Sequence, residues 1–197
     1  MLTTRTIVIL LGMAPLFPGV SQNFPASTCP SLKNSQMRLE FLQDEKARLD
    51  GDCVLYAIDQ LRVARYAPAT ATLIRYLDYP YPPPPNRGNS EPIIVSGPFN
   101  WTNYPAANAL ADIGKAAVPQ LVDAIADAAT SDLTRTNAAD AIMAMYNHLP
   151  EGIAVLVRAA HARTDPMESN RLMDQARRLP SRCGSRVRND CENAVLK

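Results

Sequence analysis

The stretch from Tyr104 to His161 repeats itself, and that repetition limits the folds open to the chain more than any other feature. YPAANALADIGKAAVPQLVDAIADAAT is answered by TNAADAIMAMYNHLPEGIAVLVRAAH. Ala106, Ala107, Ala109 and Leu110 recur as Ala138, Ala139, Ala141 and Ile142, an offset of 138 − 106 = 32. A period of that length suits a unit of two helices. Small alanines on the first helix let a neighbour approach closely, and Leu, Val and Ile on the second fill the space between layers. Each pair keeps one apolar face open, so pairs must stack to bury it.

Helical signals extend on both sides. A helix is expected over about Ser35 to Leu49, with Leu39, Leu42 and Leu49 on one stripe and Asp50-Gly51 as its stop. Asp52 is placed to cap a second helix that buries Leu55, Ile58 and Leu61, and Pro68 to open a third with Leu73, Ile74 and Leu77 inward. Thr102 or Asn103 is placed to cap the helix that follows the loop, and Ser131 or Asp132 the one after next. Ile113, Met145 and Ala154 are expected to face inward with the repeat's other apolar positions. Asp165-Pro-Met-Glu168 reads as a capping box ahead of Leu172, Ala176 and Leu179, and a short last helix is expected near Arg186 to Leu196.

The helical pattern breaks once. Residues 79–103 read YPYPPPPNRGNSEPIIVSGPFNWTN and hold seven of the 17 prolines, four of them consecutive. No helix runs through such a segment, the proline run favours polyproline II, and Ile93, Ile94 and Val95 suit a short strand or a core plug. A long connection of this kind is either a tolerated insertion or a binding loop. Tyr79, Tyr81, Phe99 and Trp101 in it are candidates for partner contact, because aromatics beside prolines make good contact surfaces.

The residues PAANALADIGKAAVPQLVDAI resemble a HEAT repeat of the short bacterial type first noted in phycobilisome lyases. Ala106, Ala107, Leu110, Ile113, Gly114, Ala117, Val118, Pro119, Leu121 and Ile125 fit its pattern. In the second copy Tyr146 stands where Gly114 would align, and Pro150 falls one position off Pro119. The resemblance is best over Tyr104–Ile125 and extends to His161. It implies an all-α fold, a short α-solenoid of stacked helical hairpins, used to bind proteins. It implies no lyase activity, because the pattern is scaffold.

The N-terminus reads as an export signal. Arg5 precedes the apolar run TIVILLGMAPLFPGV, and Gly19 and Ser21 stand two apart ahead of a cleavage point after Ser21. The run is short for a membrane span, so an uncleaved anchor is the lesser reading. Cys29 lacks the Leu-type residue three positions earlier that a lipoprotein signal needs; Ala26 stands there. The expected organisation is a signal at 1–21, an extended segment at 22–33, and one helical domain at 34–197 interrupted by 79–103. Four cysteines in an exported chain favour disulfides, and proximity pairs Cys29 with Cys53 and Cys183 with Cys191. Zinc fits less well: Cys183 and Cys191 are too far apart for a knuckle and no histidine is near. The expected location is the periplasm or the exterior.

A net charge of +1 gives no global pull toward nucleic acid, and no nucleic-acid partner is expected. The charge is uneven, however. Between Tyr104 and Val157, Asp112, Asp123, Asp127, Asp132, Asp140 and Glu151 face only Lys115 and Arg135. From Arg158 to Asp190, eight arginines face four acids. The plain reading is solvated helix faces. The sharper one is a basic surface, with Arg171 and Arg178 sharing a helix face, that meets an acidic partner or the acidic middle of another copy.

No catalytic constellation emerges. His148 and His161 are not at ligand spacing, no glycine-rich phosphate loop or nucleophile elbow is present, and the carboxylates are scattered. Asn100-Trp101-Thr102 matches a glycosylation sequon, which matters only in a glycosylating host. No cofactor and no metal are expected. The leading expectation is a non-enzymatic exported scaffold that binds protein, with no membrane span after signal cleavage. The alternatives are an envelope-associated protein that self-assembles through its acidic and basic ends, and an enzyme or enzyme accessory with a site near 79–103.

Overall fold

A computed structural model describes residues 29–81 and 103–196. The expected signal segment, the Ile93–Val95 strand and the sequon lie outside the described residues. Within them the chain is all-helical, with nine α-helices and no strand. They are α1 (Ser35–Gln43), α2 (Gly51–Val63), α3 (Thr70–Ile74), α4 (Pro105–Ile113), α5 (Val118–Ala126), α6 (Asp132–Met145), α7 (Pro150–Ala162), α8 (Pro166–Arg178) and α9 (Arg188–Val195). None is long and apolar enough to cross a membrane.

Local chemistry sets most boundaries. Asn34, Asp50, Ser131 and Asp165 cap α1, α2, α6 and α8 by accepting a hydrogen bond from a backbone N–H of the first turn. Pro105, Pro150 and Pro166 occupy first helical positions, where the missing N–H costs nothing. The first expected helix ends early: Asp44 turns extended and its side chain caps a 3-10 turn over Glu45–Leu49. Leu49 consequently leaves the core and is exposed, while Leu39 and Leu42 stay buried. Asp50, not Asp52, caps α2, because its side chain is the one that reaches Cys53 N. Tyr104, not Asn103, takes the cap position of α4 and makes no side-chain cap hydrogen bond, while Thr102 lies outside the described residues. The capping box before α8 is half made. Asp165 accepts from Met167 N at 2.8 Å, but Glu168 pairs with Arg163 at 3.3 Å.

The 32-residue offset of the sequence is also the offset of the elements. α4 ends at Ile113 and α6 at Met145; α5 begins at Val118 and α7 at Pro150. The two turns differ in how they reverse the chain. Gly114 does it alone with φ +83° and ψ −157°, a conformation essentially closed to other residues. In the second copy Tyr146 keeps negative φ, and Asn147 and His148 take positive φ of 51° and 58° instead. That shift of the left-handed residues explains why Tyr146 aligns with a glycine and Pro150 sits one place early. A Cβ on Gly114 would meet nothing within 4 Å. Gly114→Ala therefore tests backbone strain without a clash, and thermal or urea denaturation should show a loss of about 1–3 kcal/mol.

Alternate helices lie side by side. α2 packs on α4 and α4 on α6; α5 is covered by α6 and α8, and α7 by α8 and α9. The small residues make this possible: Ala106, Ala107, Ala109, Ala138, Ala139 and Ala141 are all fully buried. Leu110, Leu121, Ile125, Ile142 and Ile153 fill the space around them in one continuous core. Ile113, Met145 and Ala154, expected inside, are only half-buried because each lies at the edge of its helix's inner stripe. Two disulfides pair as proximity suggested. Cys29–Cys53 fastens the segment before α1 to the start of α2, and Cys183–Cys191 fastens the turn after α8 to α9. All four cysteines are buried, which fits a non-reducing environment.

Candidate functional site

An open groove of about 430 Å³ lies between α7 and α9. Pro150, Ala154, Val157, Arg158 and His161 recur every three or four residues along one face of α7, and Asp190, Asn193 and Ala194 do the same on α9. Val157 and Ala194 are buried and form the floor; Glu151, Arg158, His161, Asp190 and Asn193 are exposed and form the rim. An apolar floor with a rim of both charge signs suits a peptide segment or helix better than a small molecule, which needs deeper enclosure. Among the described residues no three His, Cys, Asp or Glu side chains gather as metal ligands would.

The aromatic candidates before the loop serve its base. Tyr79 packs edge-on against Tyr76, with ring centroids 5.9 Å apart, and Arg48 lies over both rings at 4.8 and 6.0 Å. Arg48 also binds Asp78 at 3.1 Å. Burial pushes the hydroxyl pKa of both Tyr79 and Tyr81 up. The Tyr81 hydroxyl hydrogen-bonds the Asn108 side chain near Asp59 and Arg62, and Arg62 bridges Asp59 and Asp112 at 2.8 Å each. Phe99 and Trp101 lie outside the described residues, so the four are not seen together.

Tyr81 N donates to Asn103 O at 2.8 Å, so the two ends of the intervening segment already touch. Replacing 82–102 by a short Gly-Asn-Gly link should leave the helical body intact. Its melting temperature should be unchanged or slightly higher, since each halving of a connection is worth about 0.6 kcal/mol of closure entropy. Circular dichroism melts check this.

The arginines of the C-terminal third are mostly used within the chain. Arg171, half-buried on α8, donates from Nε to Ala126 O at 2.5 Å and so satisfies an orphan carbonyl at the end of α5. Arg178 pairs with Asp132 at 3.2 Å, Arg163 with Asp123 and Glu168, and Arg182 with Asp140. The acidic middle and the basic end are thus two sides of one seam between α5–α6 and the α7–α8 end of the same chain. Most of these pairs are exposed and each is worth at most about 1 kcal/mol. Arg158, Arg186 and Arg188 are exposed and make no ion pair among the described residues.

Asp140 is the exception. It is fully buried in the middle of α6, and desolvation pushes its carboxyl pKa up while Arg182 pulls it back. One turn earlier, Asn137 is also fully buried and donates from Nδ2 to Leu77 O at 2.6 Å. Asp140 Oδ2 and Asn137 Oδ1 have no hydrogen-bond partner among the described residues. Sequence reasoning counted Asp140 with the solvated acids. Its signal was its position inside the apolar run Ala138-Ala139-Asp140-Ala141-Ile142. His148, half-buried in the α6–α7 turn, has its imidazole pKa lowered by burial, and His161 is a rim residue of the groove.

Comparison with known protein families, with curated proteins and with solved structures found no match.

Proposed function

We propose that this chain is an exported, non-enzymatic scaffold of stacked HEAT-like helix pairs that binds a protein segment in the α7/α9 groove. The observation that carries this reading is the groove itself. It is long enough to follow α7 from Pro150 to His161, it is floored by apolar residues, and its rim offers Glu151 and Asp190 beside Arg158. The preferred partner is a segment with apolar anchors flanked by charges of both signs. Export rests on the apolar N-terminal run after Arg5 and is supported by the two buried disulfides. The repeat supports the HEAT-like reading through its 32-residue spacing and matching helix ends.

Self-assembly through complementary ends is the second reading. It is weakened by the internal seam, since Asp123, Asp132 and Asp140 already hold Arg163, Arg178 and Arg182 of their own chain. Light scattering of the disulfide-bonded chain across ionic strength decides between the two. A scaffold with internal charge pairing stays monomeric at low and high salt. Oligomers that dissociate as salt screens the charges would replace the scaffold reading with self-assembly.

A further inference from the structure

The walls of the α7/α9 groove restrict the secondary structure of what it takes. Both walls are helices, and the groove runs along their sides. The N–H and C=O groups along a helix are already paired in its own ladder. An extended peptide laid between α7 and α9 would therefore gain no main-chain hydrogen bonds, and those bonds are what hold an added strand at a sheet edge. A polyproline segment docks on aromatic faces, and none of the lining residues is aromatic. A helix arrives with its own backbone satisfied and needs only a matching side-chain face.

The floor suits a helix as well. Ala154 on α7 and Ala194 on α9 are small, and small residues let a helix axis approach to about 8–10 Å. The body of the chain uses the same device. Fully buried Ala106, Ala107 and Ala109 belong to α4, which packs on both α2 and α6.

The rim sets the register. Glu151 and Arg158 are exposed, both line the groove from α7, and neither makes an ion pair among the described residues. They stand seven residues apart, which is two turns and about 10.5 Å along the axis. Ala154 lies about one turn from each. A second helix lying along α7 meets the two charges with a basic and an acidic residue at the same separation. Positions i, i+3, i+4 and i+7 of a helix share one face, so the two positions between the charges carry the apolar contacts. Asp190 adds a second carboxylate from α9, and His161 and Asn193 offer hydrogen bonds at the rim.

We propose that the groove takes an amphipathic α-helix of a partner protein, with a basic and an acidic residue seven positions apart and two apolar residues, one of them small, at the third and fourth positions between them. This rests on the reading of the groove as a protein-binding site, and it adds the structure and the charge spacing that the partner presents.

Three short peptides, each held helical by a hydrocarbon staple on its outer face, test it against the intact, disulfide-bonded chain. They share the small and large apolar residues and differ only in the charged pair: Lys and Glu, Lys and Lys, or Glu and Glu. A fourth carries the Lys and Glu pair with two central prolines in place of the staple, which prevents the helix. Fluorescence anisotropy at low ionic strength gives the affinities, and amide chemical shifts give the place of binding. The Lys and Glu helix should bind about fivefold more tightly than either like-charged helix, the size of one exposed ion pair. It should shift amides of α7 and α9 and leave α1 unmoved, and the proline peptide should bind more weakly. In Arg158→Glu the Lys and Lys helix should become the preferred one. Equal binding of the three helices, binding of the proline peptide as tight as that of its helical counterpart, or no binding of any helix overturns the proposal. In each of those cases the protein-binding reading survives if a photoreactive side chain at Ala154 still forms a discrete adduct in the cell, and it falls too if that adduct is absent.

Discussion

Arg182→Met should lower stability by about 3–5 kcal/mol at neutral pH, the usual consequence of leaving one buried charge without its partner. Asp140 remains fully buried in that variant, and neither Asn137 nor any neighbouring cation replaces the lost guanidinium. The loss has two signatures that simple removal of packing would lack. It should shrink on acidification, because Asp140 can then take up a proton and shed the charge. It should also be largely restored by adding Asp140→Asn, which removes the charge altogether. Urea denaturation of the two single variants and the double variant, at neutral and at acidic pH, gives all these values in one series. An Arg182→Met chain equally destabilised at both pH values would show that Arg182 acts through packing.

Removing Cys29–Cys53 should cost more than removing Cys183–Cys191, although the second lies beside the buried ion pair. The first bridge joins residues 24 apart and the second residues 8 apart. Chain entropy then gives about 3.5 kcal/mol for the first and about 2.6 kcal/mol for the second. Cys29 holds Leu32 and the start of α1 against α2, and both Cys29 and Leu32 belong to the core. Paired Cys→Ala variants compared by urea denaturation check the order as well as the sizes. The reverse order would mean that the C-terminal segment contributes native-state contacts that loop length does not capture.

Features governed by neighbouring residues were legible in the sequence. Ser131 and Asp165 capped where expected, the cysteines paired by proximity, and the alanines of the repeat went to the interior because their spacing matches a helix face. Features governed by distant residues were not. Leu49 fits the stripe of Leu39 and Leu42, but Asp44 ends the helix first, and a side-chain cap that competes with helix continuation is weakly encoded. The arginines looked like an outward patch because their partners, Asp123, Asp132 and Asp140, lie about 40 to 46 residues earlier in the chain. Only the packing of α8 beside α5 and α6 brings those charges together. The groove was hidden for the same reason. Neither face of α7 or α9 is unusual alone, and the concavity lies between two helices that meet only through the packing of the C-terminal segment.

Binding through the α7/α9 groove is most directly tested by photo-crosslinking from single positions in the living cell. A photoreactive side chain at Ala154 or Asn193 lies in the groove, whereas one at Glu40 lies on α1, which packs on α2 and α3. The account predicts one discrete adduct of higher mass from Ala154 and Asn193, lost when Arg158 is changed to Glu, and none from Glu40. Adducts of equal yield from all three positions, or from Glu40 alone, would contradict it.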